Sequence, residues 1–257
     1  MMLDYIVYLE VAEKAAKIAG EFLRRQFYTV KQVDEAFAHD IKLRLDKESQ
    51  ALISDYLLSA FPQSSVLGEE GFTGESSAEF CWIVDPIDGT VNYFYGIPIF
   101  CVSIALQHCG KLVAGCVYDP MQQECFSAVA GQVPTLNGKP VCVSDRVKMN
   151  EAVVFIGHGS HDGSGEQGIR RFAHISRQVR KIRILGSAAL TLCYIAAGRF
   201  DAYIEDRISL WDFAAARVIL ESAGGRLVFE PRSEDGIKGA IVAWNGVLPL
   251  YEALQMD

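Results

Sequence analysis

An excess of positive charge is missing from this chain. Its 257 residues carry 24 Lys and Arg against 32 Asp and Glu, a formal net charge of −8. That balance gives no support to a broad surface for nucleic acid or for an anionic membrane, so neither partner is expected. A small anionic substrate stays open, because a bound cation reverses the local sign. No C-x-x-C pair occurs either. Cys81, Cys101, Cys109, Cys116, Cys125, Cys142 and Cys193 make an odd count in mostly apolar, strand-like surroundings. They read as buried free thiols of a reducing cytosol, not as a disulfide framework or a zinc site, and the expected location is cytoplasmic. The N-terminal stretch lacks an unbroken apolar run, since Asp4, Glu10 and Glu13 interrupt it. It is read as neither signal peptide nor membrane span. Internal repeats, long linkers and low-complexity tracts are absent. Half of the residues are hydrophobic, enough for a sizeable core in one large domain or two tightly joined halves.

The pattern along the chain changes near its middle. Leu3, Ile6, Val7, Val11, Ala15, Ile18 and Phe22 recur at helical spacing over residues 3–27, and residues 46–60 repeat it before Phe61-Pro62. "SSVLGEEG", "FCWIVDP", "FCVSIALQHCGKLVAGCVYDP" and "ECFSAVAG" read as strands joined by glycine-bearing turns, with a hairpin at Cys109-Gly110-Lys111. From "AVVFIGHG" onward, strands and helices alternate: a helix over 166–180, the strand "KIRILG", the helix "SAALTLCYIAAG", the strand "FDAYIED", the helix "LWDFAAARVILESAGG", then "RLVFE" and "GAIVAWN". The expectation is an α+β half, residues 1–150, and an α/β half, residues 151–257, sharing one cleft.

Acidic residues stand where strands stop and helices start. Asp46 follows "HDIKLRL", Glu69 and Glu70 follow "SVLG", Asp85 and Asp88 follow "WIV", and Asp212 opens a helix. Carboxylates gathered at one sheet edge repel each other unless a cation lies between them. All-oxygen ligation suits Mg²⁺ or Mn²⁺. Pro86 is expected to fix a turn that points Asp85 and Asp88 at one cation. Gly89 would let backbone come close, and the Gly89 and Thr90 amides would face a phosphate.

With these residues in view, the chain resembles the inositol monophosphatase family of metal-dependent, lithium-sensitive sugar phosphatases. "GEE" at 68–70, "WIVDPIDGTVNYFYGIP" at 82–98 and "LWDFAAARVILESAGG" at 210–225 carry the resemblance, which covers almost the whole chain. It implies a layered αβαβα sandwich of the inositol monophosphatase and fructose-1,6-bisphosphatase type, a homodimer, and two or three ions per site. Glu69, Asp85 and the Ile87 carbonyl would hold the first magnesium. Asp85, Asp88 and Asp212 would hold the second, and Glu69 would assist a third through water. Thr90 and Asp46 would form the pair that takes a proton from the attacking water. Glu205 would accept from sugar hydroxyls, with Gly186, Ser187 and Ala188 beside the ring. Two departures stand out: Leu43 replaces the threonine often found three residues before Asp46, and "GQVPTLNG" at 131–138 lacks the usual second glycine and alanine.

Val91-Asn92 after D-G-T follows the inositol and sugar phosphatase pattern, not the Lys-Glu of adenosine bisphosphate phosphatases. The expected reaction is Mg²⁺-dependent hydrolysis of inositol monophosphate or a related polyol phosphate. Fructose-1,6-bisphosphate, histidinol phosphate and adenosine 3′,5′-bisphosphate are the alternatives, with a non-catalytic metal-binding regulator behind them. Tyr93, Phe94 and Tyr95 read as core more than as a substrate stack. His158 and His161 read as a solvent-exposed loop more than as general acids. Arg170, Arg171, Arg177, Arg180, Lys181 and Arg183 read as a solvated face or a subunit edge.

Overall fold

The computed structural model describes residues 4–31, 33–36, 41–157, 165–250 and 254. The chain opens on helix α1 (Tyr5–Gln26), capped by Asp4, whose carboxylate accepts from the Ile6 amide at 3.1 Å. Ala12, Ala15, Ala16, Ala19 and Leu23 form its buried stripe at helical spacing. A short hairpin of β1 (Val33–Ala36) and β2 (Ile41–Leu43) leads directly into α2 (Arg44–Ala60). This hairpin is not among the elements read from the sequence.

Next come β3 (Ser65–Gly68), β4 (Gly71–Thr73), β5 (Phe80–Asp88), α3 (Thr90–Phe94), β6 (Cys101–His108), β7 (Lys111–Asp119), β8 (Glu124–Val129), β9 (Thr135–Leu136) and β10 (Lys139–Pro140). The strands pair in one eight-stranded sheet, β10-β9-β8-β7-β6-β5-β3-β4. All its ladders are antiparallel except β3 with β5.

The rest of the chain runs β11 (Val153–Ile156), α4 (Gly165–Ser176), β12 (Lys181–Arg183), α5 (Ala188–Ala196), β13 (Ala202–Ser209), α6 (Leu210–Ser222), β14 (Arg226–Pro231) and β15 (Lys238–Trp244). Its five-stranded sheet has the order β12-β11-β13-β15-β14. This sheet is mixed. β11 runs parallel to β12 and β13, while β15 pairs antiparallel with β13 and β14. Only its first part therefore has the parallel, crossover character expected of an α/β half.

Burial sorts these elements into layers. Ala15, Leu23, Ile53 and Leu57 of α1 and α2 pack on Trp82, Val84 and Val102 of the first sheet. On that sheet's other face, Ile83, Ala105 and Phe126 meet Leu192 and Ile219 of α5 and α6, which also pack on Tyr203 and Ile241 of the second sheet. Ile175 of α4 closes the far side against Val154 and Ile204. The result is the expected αβαβα sandwich.

One irregularity in β5 positions the acidic cluster. Asp85 opposes Ser103 and Asp88 opposes Cys101, so β5 spends one residue more than β6 over this step. Side chains alternate faces along a regular strand, which would send two residues three apart to opposite sides. The bulge cancels that alternation, because Ser103 and Cys101 share a face and so do the residues opposite them. Pro86 lies inside the bulge, where a missing N–H costs no ladder bond. The expected Pro86 turn is thus corrected to a bulge within a continuous strand. Both aspartates face the α5–α6 layer, as the Ser103 hydroxyl bond to the Trp211 carbonyl at 3.3 Å shows.

Candidate active site

Three helix N-termini meet the bulge, and each engages a carboxylate. Asp46 and Asp212 are both the third residue of their helices, α2 and α6. Each reaches back to the amide before its helix: Leu43 N donates to Asp46 Oδ2 at 2.6 Å and Ser209 N to Asp212 Oδ2 at 2.8 Å. This is the carboxylate half of a capping box, and it fixes each carboxylate at the start of its helix. At position 43, where the resemblance implies a threonine, the Leu43 backbone amide supplies the support. Asp88 caps the third helix. Its Oδ2 accepts from Ser187 Oγ at 2.5 Å and Ala189 N at 2.8 Å, and its Oδ1 from Ala188 N at 3.1 Å. The positive end of α5 faces this anion. Cys101 Sγ adds a longer contact to Asp88 Oδ2 at 3.5 Å.

The donors of Ser187 and Ala188 are thus directed at Asp88. Ser187 is buried, so it acts on the site through that carboxylate. Gly186 stands at the loop before α5, with its carbonyl against Gly89. Gly89 has φ of +99°, and a Cβ there would come within 2.9 Å of the Ile99 carbonyl and 3.1 Å of the Gly186 carbonyl. Asn92 ties the same loops, donating to the carbonyls of Ile99 at 2.9 Å and Leu185 at 2.7 Å.

Asp85 lies at the centre of the charge. Ile87 N donates to its Oδ1 at 3.0 Å. Burial raises its pKa well above the ordinary carboxylate value, and Glu69, Asp88, Asp212 and Asp46 push it further. Asp212 is raised well above the usual range by burial, then by Asp88, against the Ser209 bond, with Glu69 and Glu205 adding to the rise. Burial also raises Asp88, partly offset by its bonds from Ser187, Ala189, Ala188 and Cys101. Glu69 is half-buried at the end of β3, its amide bonded to the Val84 carbonyl at 3.2 Å. Glu70 stands beside it, its amide held by Gln50 Oε1 at 2.9 Å.

Thr90 opens α3 next to Asp46. Its hydroxyl lies 2.9 Å from the Ile87 carbonyl and 3.4 Å from Asp46 Oδ1, so the carbonyl bond is the closer. Glu205 is half-buried on β13, near enough to raise Asp212, and its Oε1 accepts from the amides of Asp206 at 2.9 Å and Arg207 at 3.2 Å. Burial raises its pKa and those amides oppose the rise. Its Oε2 has a longer contact with the Tyr203 hydroxyl at 3.4 Å and lies against Gly157, where an added Cβ would overlap it.

Among the described residues, the trio of potential ligands that closes to within 4.8 Å is Glu79, His108 and Cys109, a cluster able to hold a divalent cation. No three of the site carboxylates are that close. Ligand atoms of one octahedral magnesium, at ~2.1 Å from it, lie at most ~4.2 Å apart, so three of these carboxylates would have to draw together to share one ion.

The profile of the inositol monophosphatase family matches residues 4–248. The chain belongs to the inositol monophosphatase family. It is 36% identical over 246 residues to Nus factor SuhB of Pseudomonas aeruginosa, covering 92% of this chain and 91% of that one. It is 37% identical over 237 residues to inositol monophosphatase 2 of Solanum lycopersicum, covering 89% of each. The crystal structure of extragenic suppressor protein suhB from Bartonella henselae superposes with a TM-score of 0.90 at 33% identity, over 97% of this chain and 98% of that one. The family-level activity is metal-dependent hydrolysis of a small phosphorylated polyol or sugar.

Several expectations are refined. Cys109 and Cys142 are exposed and Cys81 is half-buried, so the thiols are not uniformly core. Cys109 also belongs to the metal-capable trio. Tyr93 is buried with its hydroxyl on the Leu23 carbonyl, whereas Tyr95 is exposed. Arg171 pairs with Asp206 at 2.6 Å beside Glu205, and Arg177, Arg180, Lys181 and Arg183 lie on the surface. His158 and His161 lie outside the described residues. No described helix is long and apolar enough to cross a membrane.

Proposed function

We propose that the chain hydrolyses the monophosphate ester of a small polyol, inositol monophosphate or a close relative, with Mg²⁺ as its cofactor and Mn²⁺ as a substitute. The observation that supports this best is the convergence of Asp85, Asp88, Asp212 and Glu69 at one bulged strand. The charges bearing most on Asp85 and Asp212 are other carboxylates. An all-oxygen anionic donor set of this kind fits a hard divalent cation. Glu69, Asp85 and the Ile87 carbonyl would hold one ion, and Asp85, Asp88 and Asp212 a second. Glu69 would serve a third through water. Magnesium, when bound there, supplies positive charge for the phosphoryl and leaving oxygens and acidifies water.

The chain's own groups do the rest. Thr90 Oγ1 takes the proton of the attacking water while passing its own to Asp46 Oδ1. An Ile87 carbonyl engaged in ligation leaves that hydroxyl to Asp46. The amides of Gly89 and Thr90 meet phosphate oxygens. Ser187 and the α5 amides hold Asp88 at one angle. Glu205 Oε2 accepts a substrate hydroxyl. The halves at 1–150 and 151–257 share this cleft, the first bringing Glu69, Asp85 and Asp88 and the second Asp212 and Glu205.

Phosphate release over a panel of inositol, fructose, histidinol and adenosine phosphates tests the reading. Turnover of inositol monophosphate should exceed the others, vanish in excess chelator and return with Mg²⁺. Full turnover in chelator, or preference for the adenosine bisphosphate, would refute it.

A further inference from the structure

We propose that Glu79, His108 and Cys109 form a second, peripheral site for a zinc-class divalent cation, at the opposite end of β5 from the acidic centre. β5 starts at Phe80, so the five residue steps to Asp85 separate the two by about 17 Å at ~3.3 Å per residue. The three ligand atoms lie within 4.8 Å of one another. His108 Nε2 is 2.7 Å and Cys109 Sγ 3.9 Å from Glu79 Oε1. Tetrahedral zinc, at ~2.0 Å to nitrogen and ~2.3 Å to sulfur, holds its ligand atoms roughly 3.3–3.8 Å apart. Small side-chain adjustments reach that spacing, with water as the fourth ligand. Sulfur, imidazole and carboxylate together suit zinc and disfavour magnesium.

Two features fix the cluster before any cation arrives. The backbone of Cys109 donates to the Glu79 carbonyl at 2.9 Å, locking the hairpin to the start of β5. His108 stacks on Phe80 with ring centroids 4.4 Å apart, and its Nδ1 is 2.7 Å from the Tyr5 hydroxyl on α1. A cation on Nε2 puts the ring proton on Nδ1, which donates to that hydroxyl, the arrangement that orients metal-bound histidines.

The turn gives an independent indication. Cys109 and Gly110 have φ of +47° and +78°, the backbone of a two-residue hairpin turn. Asn, Asp and Gly are the residues that stabilise such a position, and a cysteine brings no turn chemistry to it. It does bring an exposed sulfur to the mouth of the Glu79–His108 pair. Binding exchanges the thiol proton for the cation, leaving thiolate as ligand.

Cobalt(II) titration of the metal-free full chain, in excess Mg²⁺ to fill the acidic centre, reads the site directly. One equivalent should raise a sulfur-to-cobalt charge-transfer band, and Zn²⁺ should erase it. Cys109→Ser should abolish the band, while Cys142→Ser keeps it and Mg²⁺-dependent phosphate release is unchanged in both. Glu79→Gln, on an exposed side chain, should weaken Co²⁺ binding, and Tyr5→Phe should weaken it about tenfold. No charge-transfer band in the unaltered chain, or one that survives Cys109→Ser, overturns the proposal.

Discussion

Thr90 has one hydroxyl proton and two acceptors, the Ile87 carbonyl and Asp46. Under the proposed function, replacing it with alanine removes the relay but none of the amides assigned to phosphate. Thr90→Ala should lower kcat by ~10²-fold or more with little change in KM, measured on inositol monophosphate. A rise in KM alone would make Thr90 a substrate contact. Glu205 makes the opposite prediction, and Gly157 extends it. Because the Glu205 carboxylate lies where a Gly157 Cβ would be, Gly157→Ala must displace it. Both Gly157→Ala and Glu205→Ala should raise KM for the polyol phosphate while a simple aryl phosphate is cleaved as before. Equal loss on both substrates would place Glu205 with the metal ligands.

The placement of strands and helices brings the acids together. α5 presents Ser187 and two amides to Asp88, so Ser187→Ala should weaken Mg²⁺ activation by about 10-fold without removing any ligand. Rescue by raised Mg²⁺ would separate this from a folding defect, and an unchanged Mg²⁺ dependence would sink the idea. The motif around β5 was legible because an apolar run, Trp82-Ile83-Val84, ends on two aspartates. The bulge was not, since Pro86 signals a turn or a bulge equally, and only pairing with β6 decides between them. Ser187 was visible as a small residue, but its partner Asp88 lies 99 positions away, beyond any local pattern. The β1–β2 hairpin was hidden by its short strands, and the mixed order of the second sheet by the silence of local sequence about strand partners. Cys109 sits between apolar strand-like stretches, although its turn position puts it outside.

On the scale of the whole molecule, the acidic centre opposes the folding that assembles it. Folding raises the pKa of Asp85, Asp88 and Asp212, so the metal-free native state binds protons more tightly than the unfolded chain. Stability then falls as pH rises from the ordinary carboxylate range, ~4, through the elevated native values. Melting of the chelated protein should therefore shift upward on mild acidification, and Mg²⁺ should stabilise more at neutral pH than at pH ~5. Asp85→Asn should melt higher than the unaltered chain without metal, by about 2–4 °C for each kcal/mol of relieved repulsion, and keep only the shallower pH dependence that Asp88 and Asp212 carry. A metal-free variant that melts lower and keeps the full slope would contradict this. Whether these carboxylates hold the cations of a phosphomonoesterase is decided by an Mg²⁺ titration of phosphate release. The unaltered chain should be silent in chelator and saturate with Mg²⁺, and Asp85→Asn should stay near background over the same range while remaining folded. Near-normal turnover of Asp85→Asn at ordinary Mg²⁺ would contradict that role.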